Sequence, residues 1–213
     1  MLDPKDKART LSRKGRAAAL IAVFGGLWAI ALVLGHRVLL AYDYQAGADA
    51  TAPARWPEGS KVPRPRGVPV IVVAAHPKCP CTRATIEELA VLMAQVRDRA
   101  SATVLLVRPE GMPACWEKTD LWRSAARIPG VSVMSDPDGV EAEKFGAQAS
   151  GQTLVYNAAG ELEFSGGITA FRGHSGDNAG RTAIASLVLT GNAATRRTSV
   201  YGCSLKSPER AEK

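Results

Sequence analysis

Nineteen consecutive residues without a charge, Ala17–Gly35 (AAALIAVFGGLWAIALVLG), constrain this chain more than any other feature. As a helix rising 1.5 Å per residue the run is roughly 28 Å long, close to the ~30 Å hydrocarbon core of a bilayer. Apolar character resumes after His36-Arg37 in VLLAY. The helix is therefore expected to reach Tyr42, with Tyr42 and Tyr44 as interfacial anchors. Basic residues before the span and a longer domain after it place the N-terminus in the cytoplasm. A cleaved secretion signal is the competing reading. Against it, the run exceeds a typical signal core, no small-x-small site follows directly, and the Ala48-Asp49-Ala50 triplet lies too far downstream. The expectation is a single-pass anchor over residues 17–42, in contact with membrane lipid.

That anchor explains the charge. The 213 residues carry 27 Lys+Arg against 20 Asp+Glu, a net +7. Residues 1–16 contribute +4, residues 36–67 contribute +2, and the remaining 146 contribute only +1. The basic excess sits where it sets membrane topology, and no nucleic-acid partner is expected. Hydrophobic residues at 46% and charged residues at 22% exclude a disordered or collagen-like chain. Four cysteines are too few for a disulfide scaffold.

The organisation reads as a basic tail (1–16), the anchor (17–42), a Pro/Ala-rich linker (43–67), a folded domain (68–205) and a polar tail (206–213). The linker is expected as an extended stalk, with Trp56-Pro57 its one docking point. In the domain, the continuous apolar run Val68–Ala75 predicts a central strand buried on both faces. His76-Pro77-Lys78-Cys79-Pro80-Cys81-Thr82 leads from it into a helix. There Ile86, Leu89, Met93 and Val96 define the apolar face, with Glu87, Glu88 and Arg97 off it. A second buried strand (Ala102–Val107), a short helix (Asp120–Arg127) and a third strand (Val131–Met134) follow. After the Asp136-Pro137-Asp138-Gly139 turn comes a helix to about Phe145. Strands at Thr153–Tyr156 and Leu162–Phe164 form a hairpin, and a last helix lies near Thr182–Leu189. The order β-α-β-α-β-α-β-β-α predicts an α/β fold, a mixed sheet flanked by helices and closed by an antiparallel pair.

The chemistry concentrates on cysteine. Cys79 and Cys81 stand where a helix begins, and free N–H groups and the helix dipole favour a thiolate there. Lys78 and Arg83 add positive charge, and His76 is a candidate base or proton shuttle. A bridge between residues i and i+2 closes a small strained ring, so a Cys79–Cys81 couple is expected to be oxidising. Cys203, after the last helix, is a candidate resolving thiol or a tether for the tail. Cys115 has no basic cluster around it and reads as a spare or buried thiol. The loop Gly173-His174-Ser175-Gly176-Asp177-Asn178 reads chiefly as the cap of the final helix, through Asp177 or Asn178. A competing metal site would draw on Cys79, Cys81, His76 and either Cys203 or His174, a soft set suited to copper or zinc.

A buried strand running into a Pro-containing Cys pair at a helix start resembles the thioredoxin-fold arrangement. The later run SDPDGVEAEKFGAQASGQTLVYNAAGELEFSGGIT resembles the second half of membrane-anchored thioredoxin-like proteins. Together with HPKCPCTRA, GGIT, RGHSGDN and the terminal YGC, the chain over residues 17–205 is similar to the bacterial redoxin-like proteins called RedB. The resemblance implies a thioredoxin-like fold preceded by one N-terminal transmembrane helix. The cysteine chemistry beyond the anchor adds the expectation of a thiol–disulfide oxidoreductase of the bacterial inner membrane, its domain in the periplasm, acting on protein thiol or disulfide clients. Its site residues would be Cys79, Cys81, His76, Lys78 and Cys203, with no cofactor. Thioredoxin-like copper chaperones supply the alternative, a copper-binding assembly factor using Cys79, Cys81, His76 and His174. Two departures stand out. The pair is Cys-x-Cys, with Lys78 where a first cysteine would fall. Gly151-Gln152 occupies the place of the proline that thioredoxin-like proteins set opposite their cysteines.

Overall fold

The computed structural model describes residues 4–47 and 51–206, with side chains from residue 15 onward. The Ala48-Asp49-Ala50 triplet and residues 207–213 of the polar tail lie outside that description. Two units result, Met1–Tyr42 and Asp43–Lys213. The first is one helix, α1 (Pro4–Asp43), continuous through the apolar run and its Gly25-Gly26 pair. From Gly15 to Asp43 it is long and apolar enough to cross a membrane, and its apolar side chains are exposed. An anchor and a secretion signal share that property.

The second unit is a five-stranded sheet in the order β3-β2-β1-β4-β5. Strand β1 (Val70–Ala75) runs parallel to β2 (Ser101–Arg108), and β2 parallel to β3 (Val131–Pro137). Strand β4 (Gln152–Tyr156) is antiparallel to β1 and to β5 (Leu162–Gly166). Helix α2 (Pro80–Val96) links the first two strands, α3 (Asp120–Ala126) and α4 (Val140–Lys144) flank β3, and α5 (Ala179–Thr190) follows β5. This is the thioredoxin-like topology, with the α3-β3-α4 unit inserted before the hairpin. The nine domain elements occur in the order expected from the sequence.

Strand β1 is central because both of its faces are apolar. Ile71, Val73 and Ala75 point into the larger core with Leu89, Leu92 and Met93 of α2 and Ile184 and Leu187 of α5. Val70 and Val72 point the other way, toward Phe145, Leu154 and Tyr156, while Ala74 meets Val107, Ala142 and Leu205. Period-two alternation thus supplies two apolar faces from one strand. Asp136 closes the start of α4. Its carboxylate accepts the Glu141 and Ala142 N–H groups at 2.9 Å each.

The stretch expected to be a stalk follows the domain surface instead. Trp56 packs edge-on against Phe145 and Tyr156, with centroids 5.1 and 5.3 Å away. Beyond that anticipated contact, Leu162 N–H donates to Ala54 O at 2.9 Å, Tyr156 Oη donates to Pro53 O at 3.0 Å, and Val62 is buried. Its prolines make it extended, and an extended chain can pair with the start of β5 and cover the rings of Phe145 and Tyr156, both of which are wholly buried.

Candidate functional site

Strand β1 delivers His76 to a loop whose backbone is fixed from beneath. His76 O accepts the Cys79 N–H at 3.2 Å and the Thr82 hydroxyl at 2.8 Å. His76 N–H donates to Ser150 Oγ at 3.0 Å, and the Ser150 and Thr82 hydroxyls lie 2.7 Å apart. Since the Thr82 proton is committed to His76, Ser150 is the donor between them. Both hydroxyl residues are fully buried. Cys79 is the N-cap of α2, in extended conformation and without a capping side-chain bond, and Pro80 takes the first turn.

The carboxy-terminal segment returns to this place. Ser165 N–H donates to Arg196 O at 3.0 Å, and Thr198 Oγ1 donates to Gly167 O at 2.7 Å. Further on, Ser150 N–H donates to Cys203 O at 2.8 Å and Leu205 N–H to Gln148 O at 2.9 Å, an antiparallel bridge between Ala149 and Ser204. Gly202 approaches so closely that any side chain there would meet the Ser150 carbonyl.

Three thiols therefore meet. Cys79 is 4% exposed and Cys81 2%, and all four cysteines are unbridged. The Cys81 thiol donates to the Cys79 sulfur, and the Cys203 backbone N–H and thiol add to it. Together they outweigh burial and bring the Cys79 thiol down to about 4. Cys81 moves the opposite way, pushed well above the usual thiol range by that same bond, by burial and by the Cys79 charge. Cys203 is also raised, first by burial and then by its bond to Cys79, while Arg172, with Nη1 4.0 Å from its sulfur, opposes the shift. One buried thiolate sits between two thiol donors.

The expected sources of positive charge are engaged elsewhere. Lys78 Nζ lies over the Trp116 ring, 4.6 Å from its centroid, and Arg83 pairs with Asp120 at 2.6 Å. The effects that lower Cys79 come first from Cys81 and then from Cys203, acting against burial. His76 holds the loop. Its Nδ1 accepts the Lys78 N–H at 3.3 Å, and its ring meets Trp116 edge-on at 5.6 Å. Cys115 is exposed at a positive φ of 73°, so it is not a buried thiol. His174 stacks on Phe171 at 4.1 Å. Among the described residues no group of three or more His, Cys, Asp or Glu side chains is placed to hold a metal ion.

The 173–178 loop caps α5 as expected, Asn178 Oδ1 accepting the Arg181 N–H at 2.7 Å. Its anchor was not anticipated. Glu88, assigned to the solvent side of α2, is buried. Its carboxylate accepts from Gly176 N–H at 2.6 Å, Asn178 Nδ2 at 2.9 Å and Arg181 Nη1 at 2.6 Å. That anchor fixes the loop whose Gly173 N–H reaches Cys81. The signal was available as a heptad stripe of Cys81, Thr85, Glu88 and Leu92 on one helical face. Gly151 stands at φ +91°, its N–H donating to Ala74 O at 2.8 Å and its Cα facing Thr85 Oγ1.

Cys79 is expected to titrate near pH 4, so its alkylation rate should be flat through neutral pH and drop as pH falls through that value. Replacing Cys81 by alanine removes the strongest donor and should raise the midpoint by about one to two pH units, while Cys81→Ser should raise it less. Ultraviolet thiolate absorbance reads both.

No protein-family model and no curated protein matches the chain. Solved structures do. An uncharacterized conserved protein from Geobacillus kaustophilus is similar at 16% identity with a TM-score of 0.56, over 78% of this chain and 94% of that one. A hypothetical protein from Sinorhizobium meliloti 1021 has 16% identity and a TM-score of 0.55, over 76% of this chain and 94% of its own. A secreted disulfide oxidoreductase from Mycobacterium tuberculosis matches more distantly, at 14% identity and a TM-score of 0.40, over 58% of this chain and 81% of that one. The first two place the fold, not an activity.

Proposed function

We infer that this chain is a membrane-tethered thiol–disulfide oxidoreductase working outside the cytoplasm, in a periplasm-like oxidising compartment. The observation that carries this reading is the meeting of Cys79, Cys81 and Cys203 at the start of α2, with Cys79 alone held as thiolate. A thiolate with two thiols beside it has what disulfide exchange needs: a nucleophile, a proton donor for the leaving sulfur and a resolving group. Helix α1 supplies the tether through its lipid-facing apolar surface, and the short basic stretch before it keeps the N-terminus inside. The partners are proteins that carry a disulfide or a dithiol.

In the exchange, the Cys79 thiolate attacks a client disulfide and forms a mixed disulfide, releasing one client thiolate. A second thiol of the site then attacks Cys79 and releases the other, so the client gains two electrons and the site loses two. Trapping tests this. The full-length Cys81→Ser, Cys203→Ser double variant retains the nucleophile without a resolving thiol, and should accumulate mixed disulfides through Cys79 that dithiothreitol reverses. If it captures neither client nor glutathione, the exchange reading is overturned.

A further inference from the structure

The short backbone stretch Gln148–Ser150 leads into β4 directly beside the cysteine loop, joined to it by the Ser150 hydroxyl. Its Ser150 N–H and Gln148 carbonyl face outward, and residues 203–205 of the same chain occupy both. In this register position 203 lies over Cys79, so whatever pairs here presents its residue at that place to the nucleophile. Two residues on, along the same face of an extended chain, Leu205 is buried against Ala74, Val107, Ala142 and Ala147. The tail thus combines a cysteine opposite the thiolate, an apolar side chain two positions later and two backbone hydrogen bonds between them. Those are the parts of a strand-addition site.

We propose that Gln148–Ser150 is the docking edge for an extended, cysteine-bearing client segment with an apolar residue two positions after its cysteine, and that residues 203–205 are an internal stand-in for that segment. This rests on the oxidoreductase reading and specifies its client. A client displaces the tail, pairs with the edge and brings its disulfide to Cys79. The Cys79–client bond forms as the client's partner sulfur departs. The tail's return then brings Cys203 to Cys79. Cys203 loses its proton to the departing client sulfur, a Cys79–Cys203 disulfide forms, and the client leaves as a thiol. Resolution by Cys203 also avoids the strained ring that a Cys79–Cys81 bridge would close.

The test uses the full-length chain in detergent micelles and a peptide of residues 200–206 whose cysteine is disulfide-bonded to glutathione. Gly202→Ala drives the tail from the edge, and Leu205→Asp does so independently by denying it the apolar site. Both variants should react with the peptide at least about tenfold faster than the unaltered chain, since one buried leucine no longer competes. A peptide carrying aspartate at its leucine position should lose that gain. Glutathione disulfide, which needs no edge, serves as the control. Should both variants match the unaltered chain with the peptide while all three react with glutathione disulfide, the docking edge is refuted and the oxidoreductase reading stands. If none of them reacts with either probe, both readings fall.

Discussion

Replacing Cys79 by serine is expected to slow disulfide exchange by more than roughly a thousandfold, the scale on which loss of a covalent nucleophile is felt. The size follows from the asymmetry of the site. Cys79 is already a thiolate at neutral pH, whereas a serine hydroxyl there would stay protonated. Neither neighbour can substitute. Cys81 and Cys203 are both shifted toward the protonated thiol, in part because they face that thiolate. With the charge gone, each relaxes toward an ordinary thiol, so a slow residual rate that rises with pH should remain. Single-turnover reduction of a small disulfide, followed from pH 5 to 9, reads the loss and the change of profile together. A deficit of less than tenfold would mean that the nucleophile is another residue.

Truncating Glu88 to alanine is the second large effect, and it falls on stability. The carboxylate is almost wholly enclosed and pairs with Arg181, whose side chain is 12% exposed. Removing it strips the Gly176 N–H of its partner and takes one partner each from Arg181, which keeps Asp177 at 2.9 Å, and from the Asn178 amide, which keeps Gly176 O at 3.0 Å, a change that costs about 2–3 kcal/mol. In a chain of this size that lowers Tm by roughly 4–12 °C. Glu88→Gln keeps the shape and one acceptor, and should lose about half as much. Because Glu88 fixes the loop that carries Gly173, its loss should also alter the Cys81 environment. Thermal denaturation checks the first part, and the Cys79 titration midpoint in the folded variant checks the second. A Tm within 2 °C of the parent would show that the pair contributes little.

What could be read from the sequence, and what could not, divides by the range of the interactions. Val70–Ala75 was legible because six apolar residues in a row admit few environments other than the middle of a sheet. The start of α2 was legible because proline, a loop and an apolar repeat adjoin one another in sequence. Glu88 was not, since a lone carboxylate on an amphipathic helix ordinarily faces water, and its partner Arg181 is 93 residues away. Residues 51–66 misled for a related reason. Proline and alanine describe local stiffness, and say nothing of the aromatic rings of Phe145 and Tyr156 onto which Trp56 folds. At the site, the cysteines were legible individually, but the source of their electrostatics was not. Lys78 and Arg83 are neighbours in sequence and yet are drawn to Trp116 and Asp120, while Cys203 arrives from the far end of the chain.

Gly151 closes this place in the backbone to proline. Proline holds φ near −65°, so it cannot enter a backbone set at +91°, and it would forfeit the N–H that Ala74 accepts. Thr85 closes the space on the other side. No single replacement therefore carries this chain to a relative with proline opposite its cysteines. The intermediate would have to reset the backbone, surrender a buried donor and shrink a threonine at once.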